Sequence, residues 1–224
     1  MNIENNIGGV KATDIAEKFG SPVYVYDAAK IESQYKKLSD AFSGVCTKFH
    51  YALKALNNIN ILKLLKAQGA GLDAVSINEV KLGLRAGFEP TQIMFTPNCV
   101  SFSEIKSAVE LGVHINIDNI VALEMFGAEY GNTVPCCIRL NPHIMAGGNS
   151  HISVGHIDSK FGISIYQVPH VVRIVESLNI KVNGLHMHTG SDILDSGVFL
   201  QGAQLLFNAA KDFKDLAFMD FGSG

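Results

Sequence analysis

Several short runs in this sequence carry residue types that could act together on an aldehyde with an anionic tail. In His50-Tyr51-Ala52-Leu53-Lys54 a lysine ends an apolar, alternating stretch. Successive side chains of a strand point to opposite faces, so His50, Ala52 and Lys54 share one. An ammonium buried inside such a strand is costly, and burial favours the neutral amine, the form that condenses with an aldehyde. A lysine at a strand end also commonly extends its head to solvent. Asp73, in Gly71-Leu72-Asp73-Ala74, could tune that amine from a neighbouring strand, although turn and capping aspartates are the commoner use. Arg139, in Cys137-Ile138-Arg139-Leu140-Asn141, offers a fixed guanidinium for an anionic or planar group, or for an internal ion pair.

His186-Met187-His188-Thr189-Gly190-Ser191 places two imidazoles on one face. No set of Asp, Glu, His or Cys elsewhere completes a metal site, so none is expected. A flat imidazole stacked on an aromatic ring is the alternative. Ser191 follows in a glycine-containing turn, and Gly222-Ser223-Gly224 ends the sequence. Hydroxyls and close backbone N–H groups of this kind bind phosphate. An amine that traps a carbonyl, a stacking ring and a phosphate cradle are the parts that hold pyridoxal 5′-phosphate (PLP).

These residues need a scaffold that brings them together. Apolar, β-branched runs at 48–55, 72–76, 93–97, 114–118, 136–141, 182–188 and 218–221 read as strands. Amphipathic stretches at 60–67, 77–85, 103–111, 120–128, 166–178 and 199–213 read as helices between them. Gly69, Gly87, Gly112 and Gly131 follow helical stretches as C-terminal caps. Alternation of this kind makes a parallel sheet. Seven strands with the last at the end of the sequence fit an α/β fold, a (β/α)8 TIM-like barrel cut after its seventh strand, better than an open doubly wound sheet. In such barrels the chemistry lies at the C-terminal strand ends. The run 22–27 is also strand-like and is expected to belong to a second, β-rich domain. That division gives 1–27 as a segment of the β-domain and 28–224 as an incomplete barrel.

The 224 residues carry a net charge of −3, with 47% hydrophobic and 17% charged residues. That supports a large core and no basic patch for nucleic acid. No apolar run reaches the length of a membrane span. Four cysteines, two of them adjacent, make no disulfide framework, so a cytoplasmic protein is the default expectation.

Taken in order, Tyr51-Ala52-Leu53-Lys54-Ala55, Leu72-Asp73-Ala74-Val75-Ser76, Arg139-Leu140-Asn141-Pro142, Ser159-Lys160-Phe161-Gly162-Ile163 and His186-Met187-His188-Thr189-Gly190-Ser191 resemble the fold type III, alanine-racemase-like PLP-dependent decarboxylases. The likeness runs from about Pro22 to Gly224. It implies that Lys54 carries PLP as a Schiff base, with Ala52 beside it, and that His188 stacks on the ring. It further implies that Ser191, Gly222, Ser223 and Gly224 bind the phosphate, Asp73 sits near the lysine, and Arg139 lines the pocket. The family's last motif has three glycines; here Ser223 takes the middle position and keeps its backbone N–H. The activity implied is decarboxylation of meso-diaminopimelate to L-lysine and CO2, favoured by Asn141-Pro142 and the 150–155 stretch. Relatives acting on ornithine, arginine or carboxynorspermidine, and a single-barrel protein of PLP homeostasis, are the competing readings. The resemblance also implies a homodimer whose partner subunit completes the site. The family's eighth-strand Glu-Pro-Gly-Arg run and its C-terminal β-domain are absent from these 224 residues, so this stretch alone is expected to be inactive or badly impaired.

Overall fold

The computed structural model describes residues 6–144, 159–191 and 193–222. Ser223, Gly224 and the 150–155 stretch, all singled out by type or resemblance, lie outside the described residues.

A short antiparallel hairpin, β1 (Asn6–Ile7) and β2 (Val10–Lys11), leads into helices α1 (Ala12–Phe19) and α2 (Ala28–Ala41). Strands and helices then alternate. They are β3 (His50–Ala52), α3 (Ile59–Ala67), β4 (Gly71–Ala74), α4 (Ile77–Arg85), β5 (Ile93–Phe95), α5 (Phe102–Glu110), β6 (His114–Ile117), α6 (Ile120–Tyr130) and β7 (Cys136–Asn141). They continue with β8 (Ile163–Ser164), α7 (Val168–Ser177), β9 (Val182–Met187), α8 (Ser196–Ala210) and β10 (Phe218–Asp220). Side chains of Asp27, Asn58, Ser76, Asn119 and Asp195 accept backbone N–H groups at the starts of α2, α3, α4, α6 and α8.

Seven strands pair in parallel in the order β10-β9-β7-β6-β5-β4-β3. Six of the seven lie within the expected runs and β4 starts one residue before its run, at Gly71; most are shorter, because the ends of the runs turn away to form loops. The two-residue β8, not foreseen, pairs with the end of β7 through Leu140 and Asn141. The 22–27 run forms no strand among the described residues, and Tyr24 is 91% exposed. The strand expected there therefore has no partner among these residues.

Each of the helices α3 to α8 lays a buried pair, three residues apart, on the outer side of the sheet: Leu62 and Leu65, Val80 and Gly83, Ile105 and Ala108, Leu123 and Phe126, Val171 and Ile174, Leu206 and Ala209. One helical face meets the outward residues of the strands, including Leu72, Ile93, Ile115, Ile138 and Leu185, all essentially solvent-free. The packing is tight enough that a Cβ on Gly83 would stand 2.7 Å from Leu72 and 3.1 Å from Ile93.

Alternation sends the intervening residues to the other face, which the sheet curls to enclose. His114 on β6 and Phe218 on β10 meet edge to face across that interior, with ring centroids 6.3 Å apart, although two strands separate them. The enclosed face is polar: Asp73, Thr96, Asn116, Asp118, Arg139, Asn141 and His186 all lie on it.

Ile138, fully buried at the centre of the sheet, tests the outer core. Replacing it with alanine is expected to lower stability by about 2–5 kcal/mol. The check is a urea unfolding curve, with a fallen midpoint and an unchanged slope.

Candidate functional site

The rim at the C-terminal strand ends gathers most of the residues singled out by type and spacing. Lys54 lies in the 3-10 turn Leu53–Ala55 that follows β3, and it is exposed rather than buried. The expected strand over 48–55 would have buried it. The chain instead leaves the strand at Ala52, and β3 is the last strand of the sheet, so water reaches the ammonium. Its charge still acts on both Asp73 and His188, which puts all three on one rim.

Asp73 pairs in register with Ala52. Its Oδ1 is shielded from water and has no hydrogen-bond partner. Burial pushes the carboxyl up to about 6; the neighbouring Thr96 hydroxyl opposes this, Asp220 adds to it, and Lys54 and Arg139 oppose it more weakly. A carboxyl in that range, beside an amine, can hold or release a proton near neutral pH.

Arg139, His186 and Asp220 stand side by side on β7, β9 and β10. Arg139 is 6% exposed, with its guanidinium 4.7 Å from the ring centre of Phe161. Burial lowers its affinity for a proton, and Asp118, Asp73 and Asp220 work against that. His186 is buried, and Asn116 Nδ2 donates to its Nδ1 at 2.6 Å. Burial pushes His186 down to about 4. His188, just beyond the end of β9, is pushed down to about 4 by burial, with Arg139, His186 and Lys54 adding to the shift. It is therefore a neutral, flat imidazole at neutral pH. Ser191 follows on the surface after Gly190.

Gly222 closes the site from β10. Its φ is +63°, and a Cβ there would stand 2.6 Å from the Met187 carbonyl oxygen and 3.0 Å from His188 Nδ1. Only a bare backbone can pass so close to the imidazole. Its N–H donates to Asp220 Oδ1 at 2.8 Å.

Other groups on this rim were not singled out from the sequence. Asn98 Nδ2 donates to Asp118 Oδ2 at 2.6 Å and to the Lys160 carbonyl at 3.3 Å, which ties the segment bearing Phe161 to the end of β6. Gly162, at φ +78°, lets that segment lie against the backbone of residues 139–141, where a Cβ would meet Asn141 N at 3.0 Å. Asn116 and Asp118 share a face by alternation, a signal present in the sequence; Asn98 sits in a loop and has no such signal. Cys136 and Cys137 are buried, and burial pushes the first thiol up to about 12 and the second well above its ordinary value, so both pack as neutral thiols. Among the described residues no three His, Cys, Asp or Glu are grouped to hold a metal, and no helix is long and apolar enough to cross a membrane.

The residues present fit PLP. An amine stands at the rim, an unpartnered carboxylate oxygen faces its neighbourhood, a neutral ring lies flat-sided and half-buried, and the Gly222 backbone has no room for a side chain.

Comparison with known proteins agrees. Residues 28–222 match the family model described as pyridoxal-dependent decarboxylase, pyridoxal binding domain. Diaminopimelate decarboxylase of Methanothermobacter thermautotrophicus is 35% identical over 97% of this chain and 53% of its own. The Bacillus subtilis enzyme is 34% identical over 93% of this chain and 50% of its own. The crystal structure of Helicobacter pylori diaminopimelate decarboxylase complexed with L-lysine superposes with a TM-score of 0.88 at 30% identity, covering 96% of this chain and 57% of that one. A lysine/ornithine decarboxylase from Vibrio vulnificus, complexed with putrescine, gives 0.76 at 25% identity, covering 89% and 50%. The chain thus spans about half the length of the relatives it matches.

Asp73 provides a test of the site's electrostatics. With its folded value raised to about 6, it favours the fold while protonated, and that stability is lost as pH rises through 6. His186 and His188, lowered to about 4, act in the opposite sense and cost stability as pH falls below about 6.5. Asp73→Asn removes only the first effect. Its stability advantage over the parent protein is expected to grow by about 2 kcal/mol between roughly pH 4.5 and 7.5. Thermal melts of the pair across that range measure it, and a gap independent of pH would contradict the raised carboxyl.

Proposed function

Because the chain belongs to the pyridoxal-dependent decarboxylases, through their pyridoxal-binding domain, we propose that it is the cofactor-binding half of an enzyme that converts meso-diaminopimelate to L-lysine and CO2 in lysine biosynthesis. The observation that carries this reading is the convergence of Lys54, Asp73, His188 and Gly222 on one rim of the sheet. Residues from four separate runs of the sequence would otherwise have to meet there by chance.

In this reading Lys54 holds the PLP aldehyde carbon through its amine. His188, neutral at working pH, covers one ring face without placing a cation against it. Asp73 takes or returns the proton that the Lys54 amine must exchange, which its raised affinity suits. Arg139, held by Phe161 and the interior carboxylates, presents a fixed cation to the pocket. The turn that begins at Gly222, with Ser191, takes the phosphate. When bound, the cofactor supplies an electron sink for the pair left at Cα as CO2 departs.

The same reading extends to the parts outside the sheet. Residues 1–27 serve a separate β-rich domain, which would give the unpaired 22–27 run its strand partner. A cytoplasmic homodimer, with the partner subunit completing the site, accompanies it. A second substrate reading is supported by the likeness to the lysine/ornithine decarboxylase, so an assay must include ornithine and arginine beside meso-diaminopimelate.

Borohydride reduction of the full-length protein loaded with PLP is expected to leave the reduced cofactor on the peptide containing Lys54, read by mass spectrometry. Lys54→Ala is expected to lose that label and to reduce CO2 release by at least about a thousandfold. Labelling of another lysine, or full activity in the variant, would overturn the assignment.

A further inference from the structure

Two shielded oxygens from neighbouring strands have no hydrogen-bond partner: Asp73 Oδ1 on β4 and Thr96 Oγ1, one residue past β5. The backbones that carry them are locked together. Asp73 stands in register with Met94, and the Thr96 N–H donates to the Ala74 carbonyl at 2.8 Å, one rung beyond the last paired residues. Alternation puts Thr96 on the enclosed face with Met94. Thr96 is only 7% exposed, and its hydroxyl oxygen is shut off from bulk water.

Each of these atoms supplies what the other lacks. A hydroxyl has one proton to give and turns it by rotation; an ionised carboxylate only accepts, and a protonated one can donate back. Leaving both unpaired in a dry interior is costly, and a donor beside a carboxylate makes one of the stronger hydrogen bonds. After burial, the Thr96 hydroxyl is the largest influence on Asp73, and it carries no charge.

We propose that Thr96 is the positioning residue of Asp73: its hydroxyl pairs with the shielded Oδ1 and so fixes the carboxyl that exchanges a proton with the Lys54 amine. The pairing stands on the strand register and the two unpartnered atoms. The link to Lys54 rests on the function proposed above.

Charged groups bear on the same carboxyl from several elements. Asp220 acts from β10, Lys54 from the turn after β3, and Arg139 from β7. His50 on β3 pairs with Gly71, lower on the same face. The β5 segment brings Met94 and Thr96, neither of which titrates. From α4 comes Glu79, whose carboxylate accepts the Val75 N–H at 2.8 Å. Exchanging one hydroxyl for a methyl alters none of these charges, so Thr96→Val removes the pairing alone.

Thermal melts of the full-length apoprotein across pH read the pairing without any cofactor. The parent is compared with Asp73→Asn, and the same comparison is made in a Thr96→Val background. In the first comparison the stability gap is expected to grow with pH and level off near pH 6, where the folded carboxyl loses its proton. Thr96→Val withdraws the donor that favours the charged form, so the gap is expected to level off at least about one pH unit higher. Thr96→Ser keeps the hydroxyl and is expected to return the levelling point to that of the parent. A purely structural loss lowers the melts alike at every pH and moves no levelling point. The link to Lys54 is read by the rate at which apoprotein takes up PLP, followed by cofactor absorbance against pH. That profile is expected to move up in pH with Thr96→Val and to lose the same limb with Asp73→Asn.

A levelling point unmoved by Thr96→Val overturns the pairing. So does a shift that serine fails to reverse, or a pH-dependent effect of Thr96→Val that persists beside Asp73→Asn. If Thr96→Val does not fold, Thr96→Ala takes its place under the same criteria. A shifted levelling point together with an uptake profile that neither Thr96→Val nor Asp73→Asn changes overturns the link to Lys54. In that case the role given to Asp73 in the proposed function falls, and the pairing stands.

Discussion

A guanidinium buried in the middle of the sheet, Arg139, sets the terms for everything around it. It remains charged under any ordinary condition, and at 6% exposure it has little water to help it. The surrounding groups supply what water cannot: Asp118, Asp73 and Asp220 favour its charge, and Phe161 covers it with a ring face. The same cation helps keep His186 and His188 neutral. The acid-base character of the rim therefore follows first from burial, and one buried cation and three carboxylates from different parts of the sheet adjust it.

Such an interior is tolerable only because the opposite face is wholly apolar. The outward residues of β4, β5, β6, β7 and β9 are buried under helices, and α3 to α8 offer matched pairs three residues apart. With backbone groups paired along the sheet and the outer core closed, desolvation costs concentrate on the inner face, where few polar groups lack partners. Asp73 Oδ1 and Thr96 Oγ1 are two of these, side by side at the mouth. Unpartnered buried polar atoms are rare in folded proteins and call for a specific role, of which a catalytic one is an example.

The strands are short, and this matters for the chemistry. Lys54, His188 and Gly222 all sit one or two residues past a strand end. There the backbone is free to turn, yet is still held by the sheet behind it. Gly222 has lost its N–H to Asp220, and the Phe161 segment is tied down by Asn98 and by the close approach of Gly162. These contacts give the rim its shape without lengthening the strands.

The periods of two and of 3.6 in the sequence determined the seven parallel strands, the faces their side chains occupy and the helices that cover them. Face is a local property, set by the alternation of a single strand. That is why residue type and spacing alone single out Asp73, Arg139 and His188, and why Asn116 and Asp118 were open to the same argument. The tertiary structure decided what those residues are. That Lys54 stands in water, that Asp73 holds its proton to about pH 6, that His188 is neutral, and that Gly222 is tied to Asp220 all depend on neighbours contributed by distant strands. Desolvation and Coulomb forces act through space between such strands, and no local pattern records them.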